Sequence, residues 1–295
     1  SAAEAAPGVV KVVTAKDIKG LNRVIVPLDH PRSEMKGDER PLFCDTTIFR
    51  YGDVVGAVIA ETDEQARAAA KLVRVDIEPL PEYISALDAV TPDAIRIHPE
   101  SENVYLIQPT LKGELAKDVI ETSYCTAEGS FYATRECHLS IEGDAMNGYW
   151  DVDGNMVIQC KTQSVYWNLM AVSAAVGMEM SKVRIIENHT GASFGWAASP
   201  GSYAIMGACL MEIKDRPLNL TMTYDEFMHF SGKRAPLYTN ARMACDKDGK
   251  LTALEFDALS DRGPYTEFAG HNLEKVMRFM GWPYHIPNVT GLGKA

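Results

Sequence analysis

Four short segments hold the residues whose types and spacing could do chemistry. The first is Asn188-His-Thr-Gly-Ala-Ser-Phe-Gly-Trp-Ala-Ala-Ser199. Gly191 and Gly195 let the backbone turn tightly or approach a ligand closely, and amides ahead of a following helix make an anion-friendly position. The segment lacks both G-x-G-x-x-G and the phosphate-loop lysine, which removes dinucleotide and nucleoside-triphosphate readings. On spacing alone, a glycine-containing strand–helix turn is most often only a turn. The second is Glu136-Cys-His-Leu-Ser-Ile-Glu142. Here His138 with Glu136 and Glu142 could bind a metal or move protons, and on a strand all three would share one face. Their default role is structural. The third, Gly232-Lys-Arg-Ala-Pro236, is a basic turn whose default is a solvated loop tied to nearby carboxylates. In the fourth, Gly263-Pro-Tyr-Thr-Glu-Phe268, Tyr265 and Phe268 are by default core aromatics.

Composition narrows the chemistry further. The 295 residues are 46% hydrophobic and 23% charged, as in an ordinary folded protein. The formal net charge of −11 argues against a nucleic-acid or anionic-membrane surface. No apolar run approaches the roughly 20 residues that span a bilayer. The chain begins at Ser1 without a charged-then-apolar leader, so a cytoplasmic protein is expected. Cys44, Cys125, Cys137, Cys160, Cys209 and Cys245 are widely spaced with no C-x-x-C, and no H-E-x-x-H occurs. Reduced thiols are therefore expected, and neither a zinc ribbon nor an iron–sulfur cluster held by this chain alone.

The elements that must position these segments are α+β in pattern. Val9–Thr14 and Asp53–Ala60 read as strands, Asp63–Val73 as a helix capped by Thr62, and Arg74–Glu78 as a further strand closing a crossover unit. This small α/β domain covers residues 1–88. Residues 89–126, punctuated by Pro92, Pro99 and Pro109, read as an extended linker. A larger domain then covers 127–295. In it Ser130–Arg135, Ala145–Asp151 and Asn155–Lys161 read as neighbouring antiparallel strands, the last two joined by the turn dipeptide Asp153-Gly154. Ser164 caps a helix that ends at Gly177, Lys182–Glu187 is a strand, and a helix starts at Ser199-Pro200. Strands at Leu218–Thr223, Thr239–Asp246 and Thr252–Ser260 and a helix at Asn272–Met280 follow.

Read together and in this order, the four segments resemble the molybdenum-binding subunit of the xanthine oxidase family of molybdenum hydroxylases, most nearly the bacterial aldehyde oxidoreductases. Pro7-Gly-Val-Val-Lys-Val-Val-Thr-Ala-Lys-Asp17 and Glu61–Leu80 resemble the family's α/β hammerhead domain. From Ser130 onward, through Gly232-Lys-Arg, Asp261-Arg-Gly-Pro-Tyr-Thr-Glu-Phe268 and Ile286-Pro-Asn-Val-Thr-Gly-Leu-Gly293, the chain is similar to the first molybdenum-cofactor domain.

The resemblance implies a molybdopterin cofactor carrying molybdenum, in bacteria commonly the cytosine dinucleotide, and oxidation of an aldehyde or electron-poor ring carbon with oxygen from water. It implies electron transfer to iron–sulfur clusters in another domain or subunit, with a flavin subunit as a further partner. A small-molecule substrate and an oligomeric assembly go with it. Phe194-Gly195 matches the family's Phe-Gly loop near the metal. Glu136 falls where the family usually has a glutamine, and a carboxylate there adds charge unless protonated. Ala198, Phe268 and His271 match substrate-contacting positions, and Ala198 with His271 implies a roomier, more polar pocket than a simple aldehyde needs. Tyr224 stands where purine hydroxylases use an arginine, against a xanthine specialist. No catalytic residue is assigned, because the family's glutamate lies beyond Ala295. The expectation is thus part of a molybdenum-binding subunit, inactive alone, with an apolar face for the next domain. The alternative is a non-catalytic scaffold or interaction module that kept the fold and lost the cofactor.

Overall fold

The computed structural model describes residues 1–25 and 40–295. Its strands are β1 (Val9–Thr14), β2 (Gly56–Ala60), β3 (Ile107–Lys112), β4 (Cys125–Ala133), β5 (Ala145–Trp150), β6 (Met156–Cys160), β7 (Val183–Glu187), β8 (Leu218–Thr221), β9 (Leu237–Cys245), β10 (Leu251–Ser260) and β11 (Asn288–Lys294). Its α-helices are α1 (Asp63–Ala70), α2 (Ala86–Ala89), α3 (Ala116–Glu121), α4 (Val165–Val176), α5 (Gly201–Glu212), α6 (Tyr224–Phe230) and α7 (Ala269–Phe279). The fold is α+β, as the sequence predicts. Among the described residues no helix is long and apolar enough to cross a membrane. Packing gathers the described residues into two compact units, one holding residues up to Leu80 with Cys137–Gly232, the other Pro81–Glu136 with Lys233–Ala295.

In the first unit β1 and β2 form an antiparallel pair, and a second sheet runs β7-β6-β5-β8. The β5–β6 hairpin turns at Asp153-Gly154. Asp151 Oδ1 accepts from the amides of Asp153 (3.0 Å) and Asn155 (2.8 Å), and Gly154 takes φ +74°. β6 and β7 are parallel, so α4 must cross between them. That helix ends in Gly177 at φ +68°, where Met178 N–H returns to Ser173 C=O at 3.1 Å. The Ser164 side chain makes no cap bond; its amide is instead held by Thr162 Oγ1 at 2.9 Å. Every residue of α5 from Gly201 to Leu210 is buried, because the helix packs on α4, β5, β6 and β1.

The second unit is a five-stranded sheet in the order β3-β11-β10-β9-β4. α7 carries the chain from β10 to its parallel neighbour β11, and Leu273 and Met277 pack with Leu254 and Phe256 of β10. α3 covers Ala244 and Ala253 with Ala116 and Ile120.

Three local expectations differ from the fold. Residues 74–78 form no strand: Val75 and Ile77 alternate but are exposed, and alternation makes a strand only where a partner strand supplies hydrogen bonds. The crossover unit expected around α1 is accordingly an antiparallel β1–β2 pair with α1 packed on β2. The stretch 89–126 contains β3, α3 and the start of β4. Pro109 is compatible with β3 because β3 is a sheet edge, where a missing N–H costs least. Finally, the strand read at Ser130–Arg135 belongs to β4 and pairs with β9, while β5 and β6 sit in the other sheet.

Candidate functional site

The loop after β7 is built in two layers. Its outer layer is the turn Phe194-Gly195. Phe194 is 79% exposed with φ +50°, and Gly195 has φ +98°. A Cβ placed on Gly195 meets nothing within 4 Å, so the backbone there faces open space. The inner layer fixes that turn. Ser193 Oγ accepts from the amides of Gly195 (3.2 Å) and Ala197 (2.9 Å), and its hydroxyl donates to the Gln163 side chain. Glu142 Oε2 accepts from the amides of Gly191 and Ala192, both at 2.7 Å. Such charge-assisted bonds are among the stronger ones a loop can use. Ala198 lies in the single 3-10 turn Trp196–Ala198 that follows, with its amide donating to Gly195 C=O at 3.2 Å.

Beneath the loop lies a buried polar network that sequence reasoning missed. Asp144 is 1% exposed and Lys161 3%, with Nζ 3.5 Å from Oδ1. Asp144 Oδ2 accepts from Trp196 Nε1 (3.0 Å) and Ser202 Oγ (2.9 Å). Lys161 Nζ donates to Glu142 C=O at 2.8 Å and sits 5.1 Å from the centre of the Phe227 ring. Tyr203 donates to Lys161 C=O at 2.6 Å, and burial pushes its phenol far above the ordinary range. The network ties β5 and β6 to the loop and to α5. Buried charges persist only when paired and hydrogen-bonded, so this one fixes where Trp196, the residue after Gly195, must lie.

Glu136, His138 and Glu142 do not form the common face expected of them. Leu139 has φ +45°, which breaks the strand between them. His138 packs against Trp196 and edge-on against Phe227, with ring centres 6.3 and 4.9 Å apart. Glu142 is committed to the loop amides. Glu136 belongs to the second unit, where it bridges Arg234: the Arg234 amide donates to Glu136 C=O at 2.9 Å, and Nη1 lies 3.1 Å from Oε2. The basic third segment is thus tied to a carboxylate, as expected of it. Among the described residues no group of three or more His, Cys, Asp and Glu is placed to hold a metal ion.

Phe268 and His271 also belong to the second unit, at the start of α7. Phe268 is the N-cap with φ +57°, and His271, partly buried, lies in the first turn. The preceding turn is held by Asp261 Oδ1 accepting from Gly263 N–H at 3.0 Å and by Arg262 donating to Glu267 C=O at 2.8 Å. Arg262 is half-buried, and desolvation there lowers its guanidinium below the ordinary value. Tyr224 starts α6 in the first unit and is half exposed.

One backbone feature links these segments without reference to side chains. Among the described residues, the non-glycine positions with left-handed backbone are Leu139, Phe194 and Phe268. Each lies in one of the segments picked out by residue type. Left-handed backbone at a residue with a Cβ costs about 1–2 kcal/mol and persists where surrounding contacts over-determine it, as they do at functional sites.

Comparison with known proteins supplies the family. The signature of the molybdopterin cofactor-binding domain matches residues 97–295, and that of the aldehyde oxidase and xanthine dehydrogenase a/b hammerhead domain matches residues 1–81. The aldehyde oxidoreductase of Megalodesulfovibrio gigas is 39% identical over 288 residues, covering 98% of this chain and 32% of that protein. The nicotinate dehydrogenase large molybdopterin subunit of Eubacterium barkeri is 25% identical, covering 98% of this chain and 65% of that subunit. The solved structure of aldehyde oxidoreductase from Desulfovibrio desulfuricans superposes with a TM-score of 0.94 at 39% identity, over 99% of this chain and 32% of that one. The chain therefore spans about a third of the length of the aldehyde oxidoreductases it matches. With its cofactor-domain signature running from residue 97 to residue 295 and the hammerhead signature before it, the chain belongs to the molybdopterin-binding family of aldehyde oxidases and xanthine dehydrogenases.

Proposed function

We propose that this chain is part of a molybdenum hydroxylase that oxidises an aldehyde or an electron-poor N-heteroaromatic carbon, the oxygen coming from water. The observation that carries the reading is the Phe194-Gly195 turn, open above and braced below. It fits a bulky cofactor: no side chain obstructs approach at Gly195, and the polar groups beneath bond to one another, so the turn keeps its shape when a ligand arrives. A molybdenum-bearing pterin, as the cytosine dinucleotide, supplies two-electron oxidation at the metal when bound. The chain's own residues position. Gly195 offers bare backbone, Glu142 and Ser193 hold the loop amides, and the Asp144–Lys161 pair anchors Trp196. At Glu136, Arg234 supplies the counter-charge that a carboxylate in place of the family's glutamine requires. Ala198, Phe268 and His271 are assigned to substrate contact, and the small Ala198 and polar His271 favour substrates larger than short aliphatic aldehydes.

The domain division into an N-terminal hammerhead and a following cofactor-binding part is supported by the two signature spans. The same reading gives this chain partners: the rest of the molybdenum-binding region, an iron–sulfur domain or subunit that takes the electrons, and a flavin subunit, in an oligomer. It makes the chain inactive by itself, and the free cysteines suit a cytoplasmic setting. The test is to purify the chain together with its flanking and neighbouring polypeptides from a host that makes the cofactor. Molybdenum and pterin near one per chain, with oxidation of aldehydes or N-heteroaromatics, supports the reading. Absence of both, under conditions that load a related enzyme, favours the scaffold alternative.

A further inference from the structure

We propose that Cys125 and Cys245 form a paired-thiol modification site, which a hydroperoxide converts to a reversible disulfide. Strand register makes the site. β4 runs antiparallel to β9, and the first residue of β4 stands opposite the last residue of β9, Cys125 against Cys245. Directly opposed residues on antiparallel strands lie about 4.5–5.5 Å apart at Cα, inside the roughly 4.4–6.8 Å that a disulfide spans. The two side chains are close enough for Cys125 to act on the Cys245 thiol.

The other four cysteines set these two apart. Burial pushes the thiols of Cys160 and Cys209 up to about 12 and that of Cys44 up to about 11, leaving little reactive thiolate. Cys137 is exposed but lies outside the strands, in the irregular segment after Glu136. Cys125 is exposed, while Cys245 is only partly so. Burial, together with the neighbouring Cys125 group, holds the Cys245 thiol above its ordinary value. These differences assign the roles: Cys125 meets the oxidant and Cys245 resolves.

The chemistry balances in two steps. The Cys125 thiolate takes the terminal oxygen of the hydroperoxide and becomes a sulfenic acid, while the O–O bond breaks and the departing oxygen picks up a proton as an alcohol or water. The Cys245 sulfur then attacks the sulfenic sulfur, the S–S bond forms, and the displaced hydroxyl leaves as water with the Cys245 proton. Two sulfurs lose two electrons and the peroxide gains them. The consequence is local: among the described residues β4 is a sheet edge paired only with β9, and the disulfide ties its starting end. The opposite end of β4 leads to Glu136 and its Arg234 partner.

The test uses the full chain, reduced and then exposed to near-stoichiometric hydrogen peroxide, alkylated and mapped by peptide mass spectrometry. The expected result is a Cys125–Cys245 linked peptide, a loss of two of the six thiols, and full reversal by dithiothreitol. In C245S the linked peptide disappears and a sulfenic acid accumulates at Cys125, trapped by dimedone; in C125S neither product forms. A second probe, phenylarsine oxide, requires two adjacent thiols and binds the reduced chain at least tenfold more weakly in either variant. Oxidation of Cys125 with Cys245 left free in the wild-type chain, linkage to any other cysteine, or equal arsenical binding by wild type and C125S overturns the proposal. Both variants replace sulfur with oxygen at a strand end, and circular dichroism identical to wild type shows that they fold.

Discussion

Asp144 is the residue whose removal tests the buried network most severely. In Asp144→Ala the Lys161 ammonium stays 3% exposed with no carboxylate beside it, and Trp196 Nε1 and Ser202 Oγ lose their acceptor. Breaking a buried ion pair by removing one partner costs about 3–5 kcal/mol. The two orphaned donors fall within that figure, since contributions inside one network do not add. At about 2–4 °C per kcal/mol for a chain of this size class, that loss corresponds to a fall in melting temperature of about 6–20 °C. Asp144→Asn keeps an oxygen acceptor for Trp196 and Ser202 and loses only the charge, so its cost is smaller. Asp144→Ala combined with Lys161→Met removes both charges, and part of the loss returns, the remainder belonging to Trp196 Nε1 and Ser202 Oγ, which still lack an acceptor. Urea unfolding followed by circular dichroism, with tryptophan emission reporting the loop, measures all three. An Asp144→Ala chain as stable as wild type, or a double variant no better than the single one, refutes the reasoning.

Other outcomes follow from the same geometry. Glu142→Ala frees the Gly191 and Ala192 amides, each of which gives up a charge-assisted bond worth about 1.5–3 kcal/mol; hydrogen–deuterium exchange at those two amides rises by at least tenfold while β10 is unaffected. Glu212 accepts from Lys19 (2.9 Å) and lies 3.1 Å from Lys11, and the Lys19 bond, with that of Lys11, holds its carboxyl below the ordinary value. A lowered folded-state value means stability present above the unfolded carboxylate value of about 4.3 and lost as pH falls through the folded one. Urea midpoints of Glu212→Gln therefore decline less steeply than wild type below about pH 4.5, and parallel curves would count against the assignment. Arg234→Ala leaves Glu136 without its counter-charge and is expected to lower cofactor occupancy of the assembled enzyme; Glu136→Gln in the same chain restores it, and failure of that rescue contradicts the pairing.

What the sequence disclosed, and what it hid, follows the range of the signals. Local chemistry was legible: Asp153-Gly154 fixes the β5–β6 hairpin, Gly177 ends α4, and the glycines of 188–199 mark the loop. Long-range pairing was not. β4 reads locally like β5 and β6, yet it pairs with β9, whose residues lie far along the chain. Val75 and Ile77 alternate as a strand would, but among the described residues no partner strand supplies the hydrogen bonds. The prolines near Pro109 disguised β3, which tolerates one because it is an edge. At the site, Asp144 and Lys161 look like any surface acid and base, since nothing local distinguishes a buried charge from a solvated one. The His138 constellation failed through a single left-handed residue, Leu139, and His138 became a packing residue against Trp196.

The central claim is that the Phe194-Gly195 turn receives the molybdenum cofactor, and molybdenum content tests it directly. The assembled enzyme is purified as wild type, as Gly195→Ala and as Gly154→Ala. Gly195 and Gly154 both have positive φ, +98° and +74°, and open space where a Cβ would go, so both substitutions strain the backbone without a clash. Only the first places a methyl group on the loop proposed to face the cofactor. Molybdenum near one per chain is expected in wild type and Gly154→Ala, and at least a tenfold loss in Gly195→Ala. Equal molybdenum in all three proteins would contradict it.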